Sequence, residues 1–209
     1  MNLTPNEIKL KINELGKEQA SELLKSIYSS SNDHQERIQA IKLLAEFGGN
    51  KNFEIIENAL LGDENPYVRI LAANLIGEYF EDQAIEPLKW ALKDKSSYVF
   101  RNACEELIKK SPKTIIDILI SNLSSYSPTF RNIAAEMLIQ IGEPAIKPLI
   151  AAATSKNPDT RRQAFKALQK MDNLDLIKSF ITEIIPKKKR QNREFLLSLL
   201  QKIDKLKNE

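Results

Sequence analysis

Trp90 and Asp94 lie four residues apart, a spacing that brings an aromatic ring and a carboxylate to one face of a helix. So placed, they could act together as a catalytic pair. A second set is the arginine series Arg37, Arg69, Arg131, Arg161 and Arg193, which recurs at regular intervals and could bind anions as a ladder. A third is the basic run "KKKR" at 187–190. Beyond these, the nucleophiles and metal ligands are sparse: His34 is the only histidine and Cys104 the only cysteine.

Those counts exclude most familiar chemistry. One His cannot supply a His-rich metal site, and a lone His and Cys cannot build the usual triads or a three-ligand zinc or iron site without carboxylates. No metal or organic cofactor is expected. No Gly-rich phosphate loop is present, since GxGxxG and GK[ST] are both missing. With 6 Gly, 42% hydrophobic and 28% charged residues, the composition favours helices over strands. No apolar run approaches the ~18–20 residues that a membrane span requires. Asn6, Glu7, Lys9 and Lys11 break any signal-peptide apolar region. A single cysteine precludes an internal disulfide and suits a reducing, cytoplasmic setting.

The elements that must position these residues repeat. Taking each arginine as a slot gives Arg37, Arg69, Phe100, Arg131, Arg161 and Arg193, with spacings of 32, 31, 31, 30 and 32. Three residues after each slot come Ala40, Ala72, Ala103, Ala134, Ala164 and Leu196. Seven after come Leu44, Ile76, Leu107, Leu138, Leu168 and Leu200. Offsets of three, four and seven share one helix face, so each slot opens an amphipathic helix. Pro66, Pro128 and Pro158, behind Asn65, Ser127 and Asn157, read as N1 residues behind N-caps. The preceding helices repeat too: "AIEPLKWAL" at 84–92 aligns with "AIKPLIAAA" at 145–153. Pro87 and Pro148 are expected in first helical turns, with starts near Asp82 and Glu143.

The predicted helices are 5–15, opened by the capping box Thr4-Pro5-Asn6-Glu7, then 17–29 with 34–47. Further pairs are 51–62 with 66–80, 82–93 with 97–110, 112–124 with 128–141, 143–155 with 158–171, and 173–185 with 188–206. A two-helix unit of this length cannot bury its own apolar face, so neighbours must stack. The expected fold is all-α: an α-solenoid of six two-helix repeats (17–47, 51–80, 82–110, 112–141, 143–171, 173–206) with an extra N-terminal helix, forming one domain over 1–209.

The pattern Pro-x-Val-Arg, with Ala three on and Leu or Ile seven on, followed by "IGEPAIKPL" at 141–149, resembles HEAT repeats over residues 33–206. It is most similar to the short subtype named after phycobilisome lyases. The resemblance implies the solenoid fold, and it implies a bilin lyase subunit or phycobiliprotein chaperone as one functional alternative. It also suggests a DNA-binding protein or alkylpurine glycosylase of HEAT-like fold, since such glycosylases use an aromatic residue and an Asp. Trp90, however, falls on a first helix and Asp94 at a turn position. HEAT-repeat deoxyhypusine hydroxylases are set aside, because their iron site needs several His-Glu pairs.

Within that frame the arginines are read as structural, bridging turn carboxylates and carbonyls of adjacent repeats. Cys104, four after a slot, is read with Ile41, Ala73, Ala135, Phe165 and Leu197 as core. In HEAT stacks the second helices line the concave surface, where positions one, five and nine after each slot should point. The expected partner-binding residues are therefore Asn74, Glu78, Glu105, Asn132, Glu136, Arg162, Lys166 and Lys170.

Residues 156–209 carry 14 Lys/Arg against 7 Asp/Glu, whereas residues 1–155 carry 17 against 21. Such asymmetry suits an acidic partner, though a terminal repeat also needs a polar outer face for solubility. Phe165, Phe180 and Phe195 sit at apolar-face positions, which argues against a single-strand nucleic-acid platform. The leading expectation is a monomeric, non-enzymatic scaffold that grips a protein or peptide in its concave groove.

Overall fold

The computed structural model describes residues 3–187 and 189–206, and Lys188 of the basic run lies outside them. The chain divides into two compact units, Met1–Lys110 and Ser111–Glu209.

The first unit holds α1 (Pro5–Leu10), α2 (Ile12–Ser30), α3 (His34–Gly48), α4 (Phe53–Gly62), α5 (Pro66–Tyr79), α6 (Ile85–Ala91) and α7 (Ser97–Lys110). The second holds α8 (Ile116–Asn122), α9 (Pro128–Ile141), α10 (Glu143–Ala152), α11 (Pro158–Lys170), α12 (Leu174–Ile184) and α13 (Arg190–Leu206). No strand occurs among the described residues. In each unit the helices form successive antiparallel pairs. The second helices α3, α5 and α7 pack side by side, as do α9, α11 and α13. This is the all-α solenoid that the sequence period demands.

The repeat offsets are packing positions. Ala40, Ala72, Ala103, Ala134, Ala164 and Leu196 are fully buried, and so are Leu44, Ile76, Leu107, Leu138 and Leu168. Each of these large apolar side chains contributes about 1.5–3 kcal/mol on burial. Only Leu200, in the last helix, is half-exposed. Close approach also needs Gly77 on α5: a Cβ there would come within 2.2 Å of Glu106 Oε2 on α7.

Caps set the helix starts. The Thr4 side chain accepts from the Glu7 N–H, and Glu7 Oε2 accepts from the Thr4 N–H at 2.7 Å, which completes the capping box. Asn65 accepts from the Tyr67 N–H, and Asn157 from the N–H groups of Asp159 and Thr160. Ser127 occupies the cap position of α9 without a side-chain hydrogen bond.

Several boundaries differ from expectation. The N-terminal helix predicted over 5–15 breaks at Lys11, and Gly16 (φ 75°, ψ 155°) then kinks α2. That positive φ is open to glycine and strained for other residues. Short 3₁₀ turns precede several first helices, at Gly49–Asn52, Glu81–Gln83 and Pro112–Ile115. At the first of these, buried Asn52 donates from Nδ2 to the Leu44 carbonyl at 2.8 Å, holding the chain in a tight turn before α4. Pro87 sits in the first turn of α6 as expected, but Pro148 lies inside α10. Pro144 takes the opening turn there, so Pro148 leaves only one carbonyl of the helix ladder without its usual donor.

Candidate functional site

The arginine series resolves into two behaviours. In the first unit, Arg37 forks onto Asp63, Nε to Oδ2 and Nη2 to Oδ1, both at 2.9 Å. Arg69 does the same with Asp94, at 2.7 and 3.0 Å. Each also donates Nη1 to a carbonyl of its own turn, Arg37 to Ser31 and Arg69 to Asp63. Both guanidinium groups are nearly buried. In the second unit the carbonyl contacts persist, from Arg131 to Ser125 and Tyr126 and from Arg161 to Ser155 and Lys156, but among the described residues no carboxylate pairs with either fork. The buried Arg131 Nε has no hydrogen-bond partner among the described residues. Arg37 and Arg69 thus bridge to the turn carboxylate of the next repeat as expected, whereas Arg131 and Arg161 hold only the carbonyls of their own turns.

The groups that suggested catalysis are committed elsewhere. Both Asp94 oxygens are held by Arg69, and Asp94 Oδ1 also accepts from the Ser96 N–H at 2.7 Å. Trp90 is 57% exposed, with Lys93 Nζ 4.0 Å from its ring centroid. The ring and the carboxylate therefore serve different neighbours. Cys104 is fully buried in α7, and burial pushes its thiol up to about 12, where it is no nucleophile. His34 opens α3 beside Asp33, with 3.9 Å between Nδ1 and Oδ1. No group of three or more His, Cys, Asp and Glu side chains among the described residues is placed to hold a metal ion.

The expected partner-binding residues all lie on second helices. Asn74 and Glu78 stand on α5 and Glu105 on α7; the carboxylates of Glu78, Glu105 and Glu106 together hold the Lys109 ammonium above its usual range, with the Glu106 hydrogen bond as the largest cause. Asn132 and Glu136 are exposed on α9, and Arg162, Lys166 and Lys170 are exposed on α11.

The position four after the slot departs from the core expectation. Ile41, Ala73 and Cys104 are fully buried, but Ala135 and Phe165 are half-exposed and Leu197 is 48% exposed. The covering of this stripe fails in the second unit, and a cleft of about 430 Å³ opens between α11 and α13. Its floor is Phe165 and Phe195, edge to face with centroids 5.5 Å apart. Its walls carry Arg161, Arg162, Lys166 and Lys202, with Gln169 and Ser198 between them. The Lys202 ammonium lies 4.9 Å from the Phe165 centroid. Arg162 pairs with Asp159 across one helical turn, whereas Lys166 has no ion pair among the described residues.

Arg162 and Lys166 thus meet in one place, and Lys170 stays outside the lining. Phe165, Phe195 and Lys202 were missed as site residues. Two signals were present: the jump in size from Ala135 to Phe165 at one repeat offset, and Phe195 at an offset that elsewhere reads Gln39, Leu71, Asn102, Ile133 and Gln163.

No helix among the described residues is long and apolar enough to cross a membrane. No protein of curated function matches the chain. Similar solved structures include the complex of CpcE and CpcF of phycocyanin lyase from Nostoc sp. PCC7120, at 16% identity over 96% of this chain and 95% of that one, with a TM-score of 0.46. A HEAT-like repeats protein from the archaeon Thermococcus onnurineus NA1 is 15% identical over 97% and 98% of the two chains, with a TM-score of 0.40. Computationally designed armadillo repeat proteins for modular peptide recognition reach 16% identity over 96% and 99%, with a TM-score of 0.39. The model of HEAT repeats matches residues 20–109 and 116–194, and with the slot register, the buried offsets and the paired helices it shows that this chain belongs to the HEAT-repeat family.

Proposed function

We propose that this protein is a non-enzymatic scaffold that binds a protein or peptide partner along the exposed faces of its second helices. One observation carries the reading. On each second helix the third offset is buried without exception, while the exposed offsets change residue from repeat to repeat. A surface freed from packing and presented in regular array suits an extended ligand. The residues that could have done chemistry are occupied in structure: Asp94 by Arg69, and Cys104 by the core. The thirty-residue register continues unbroken past Lys110, so the reading takes 1–209 as one repeat domain of two compact units. A monomer in the cytoplasm is the setting that this reading assumes.

The test is selection of peptides from a random display library, followed by chemical-shift mapping on isotope-labelled protein. Shifts should concentrate on second helices, at Asn74, Glu78 and Glu105 or at Asn132, Glu136, Arg162, Lys166 and Lys170. Shifts confined to first helices, or no peptide bound more tightly than about 1 mM, would overturn the reading.

A further inference from the structure

Resting on the scaffold reading, we propose that the cleft between α11 and α13 receives an acidic peptide segment, which inserts one apolar side chain against Phe165 and Phe195 and lays its flanking carboxylates on Arg162, Lys166 and Lys202.

Size comes first. About 430 Å³ sits at the low end of sites that enclose a small ligand, and suits one or two side chains rather than a folded surface. The floor is apolar and half-exposed, so an entering apolar group gains burial there. The charge is one-sided. Among the described residues four cations line the cleft and no carboxylate does; Asp159, paired with Arg162, stands outside the lining. Lys166 has no ion pair among the described residues, and Lys202 rests on a ring rather than on a carboxylate. An acidic ligand supplies the missing countercharge. Gln169 and Ser198 add neutral donors and acceptors for a peptide backbone.

The rings decide between peptide and nucleic acid. Base stacking needs an open ring face, but the two phenylalanines meet at an interplanar angle of 70° and Lys202 sits over Phe165. Such a floor accepts an aliphatic or aromatic side chain better than a stack of bases.

The probe is a fluorescein-labelled peptide of about ten residues, rich in Asp and Glu, with one central leucine. Its partners in the experiment are the same peptide with that leucine changed to serine, and a version with Asn and Gln for the acids. Anisotropy titrations use the full chain, K166E/K202E, and F165A. The leucine peptide should bind; the serine version should bind about ten- to a hundredfold more weakly, reflecting one buried leucine. The K166E/K202E chain should lose at least about tenfold at low salt, and the difference should shrink at high salt. Because the leucine-to-serine change is made in the peptide, the outcome stands even if F165A fails to fold. Binding that ignores the leucine and follows peptide charge alone overturns the proposal. So does tighter binding of oligo-thymidine, or of anionic phosphatidylserine vesicles, to the same residues. If the leucine peptide fails while displayed peptides map to Asn74, Glu78 and Glu105, this cleft loses its role and the scaffold reading survives. Failure of both removes both.

Discussion

Arg69 on α5 and Asp94 in the turn between α6 and α7 are joined by two parallel hydrogen bonds, 2.7 and 3.0 Å long, with side chains 6% and 12% exposed. A carboxylate so held cannot swing toward Trp90. Asp94→Ala should cost about 3 kcal/mol, because it strands a nearly buried guanidinium. Trp90→Ala should move stability by less than about 0.5 kcal/mol, as the ring faces solvent. Chemical denaturation of the two variants checks this. Equal losses would mean that ring and carboxylate work as one unit after all.

The two-sided behaviour of the arginines yields a design. Asp63 and Asp94 each accept a hydrogen bond from the N–H two residues on, and Ser155 does the same through Oγ with Asn157. Ser155 thus occupies the equivalent turn place opposite Arg131, whose Nε is buried without a partner among the described residues. Ser155→Asp should complete that fork and stabilise the chain by about 1 kcal/mol. A fall in the thermal midpoint would show that the turn of the second unit holds the residue in a different place. The same substitution in an Arg131→Met background should give no gain, which separates the fork from a general helix-terminus effect.

The repeat core was legible in the sequence for a physical reason. Ala103 and Leu107 must fit between neighbouring helices in every copy, so their sizes are fixed and their spacing shows through. The cleft was harder to read. It depends on Phe165 at one offset meeting Phe195 and Lys202 at others across two helices, and no single register position announces that. Local breaks were hidden likewise: Gly16 looks like any glycine until its φ of 75° is known, and Pro148 mimics Pro87 in sequence while lying deeper in its helix. Leu197, at the same offset of α13 as Phe165 on α11, is 48% exposed, and nothing in its residue type sets it apart from the buried Ile41.

Ala103 tests the packing directly. It is fully buried on α7, which lies beside α5. Ala103→Leu forces three further carbon atoms into a filled interface and should destabilise by about 1–3 kcal/mol. Ala135→Leu, at a half-exposed place on α9, should cost less than about 1 kcal/mol. Urea midpoints measured together decide it; a neutral Ala103→Leu would mean that α5 and α7 are not in close contact.

Alkaline pH should weaken the fold through one buried and one half-buried group. Burial pushes the Cys104 thiol up to about 12 from an ordinary value near 9, and burial first, then Asp63, pushes the Tyr28 phenol up to about 12 from 10. Both pKa values are higher in the folded chain, so the folded state keeps these protons while the unfolded state releases them. Their contribution is complete below about pH 9 and declines as pH rises toward about 12. Urea midpoints taken between about pH 8 and 10.5 should therefore fall more steeply for the native sequence than for Cys104→Ala/Tyr28→Phe. The double variant starts lower, because it loses a buried sulfur, but its slope should be shallower. At about pH 8 a disulfide reagent such as dithionitrobenzoate should leave the folded protein unlabelled and release one equivalent of thiolate per chain once urea unfolds it. Rapid labelling without denaturant would place Cys104 at the surface, and parallel slopes for the two chains would show that neither group titrates differently on folding.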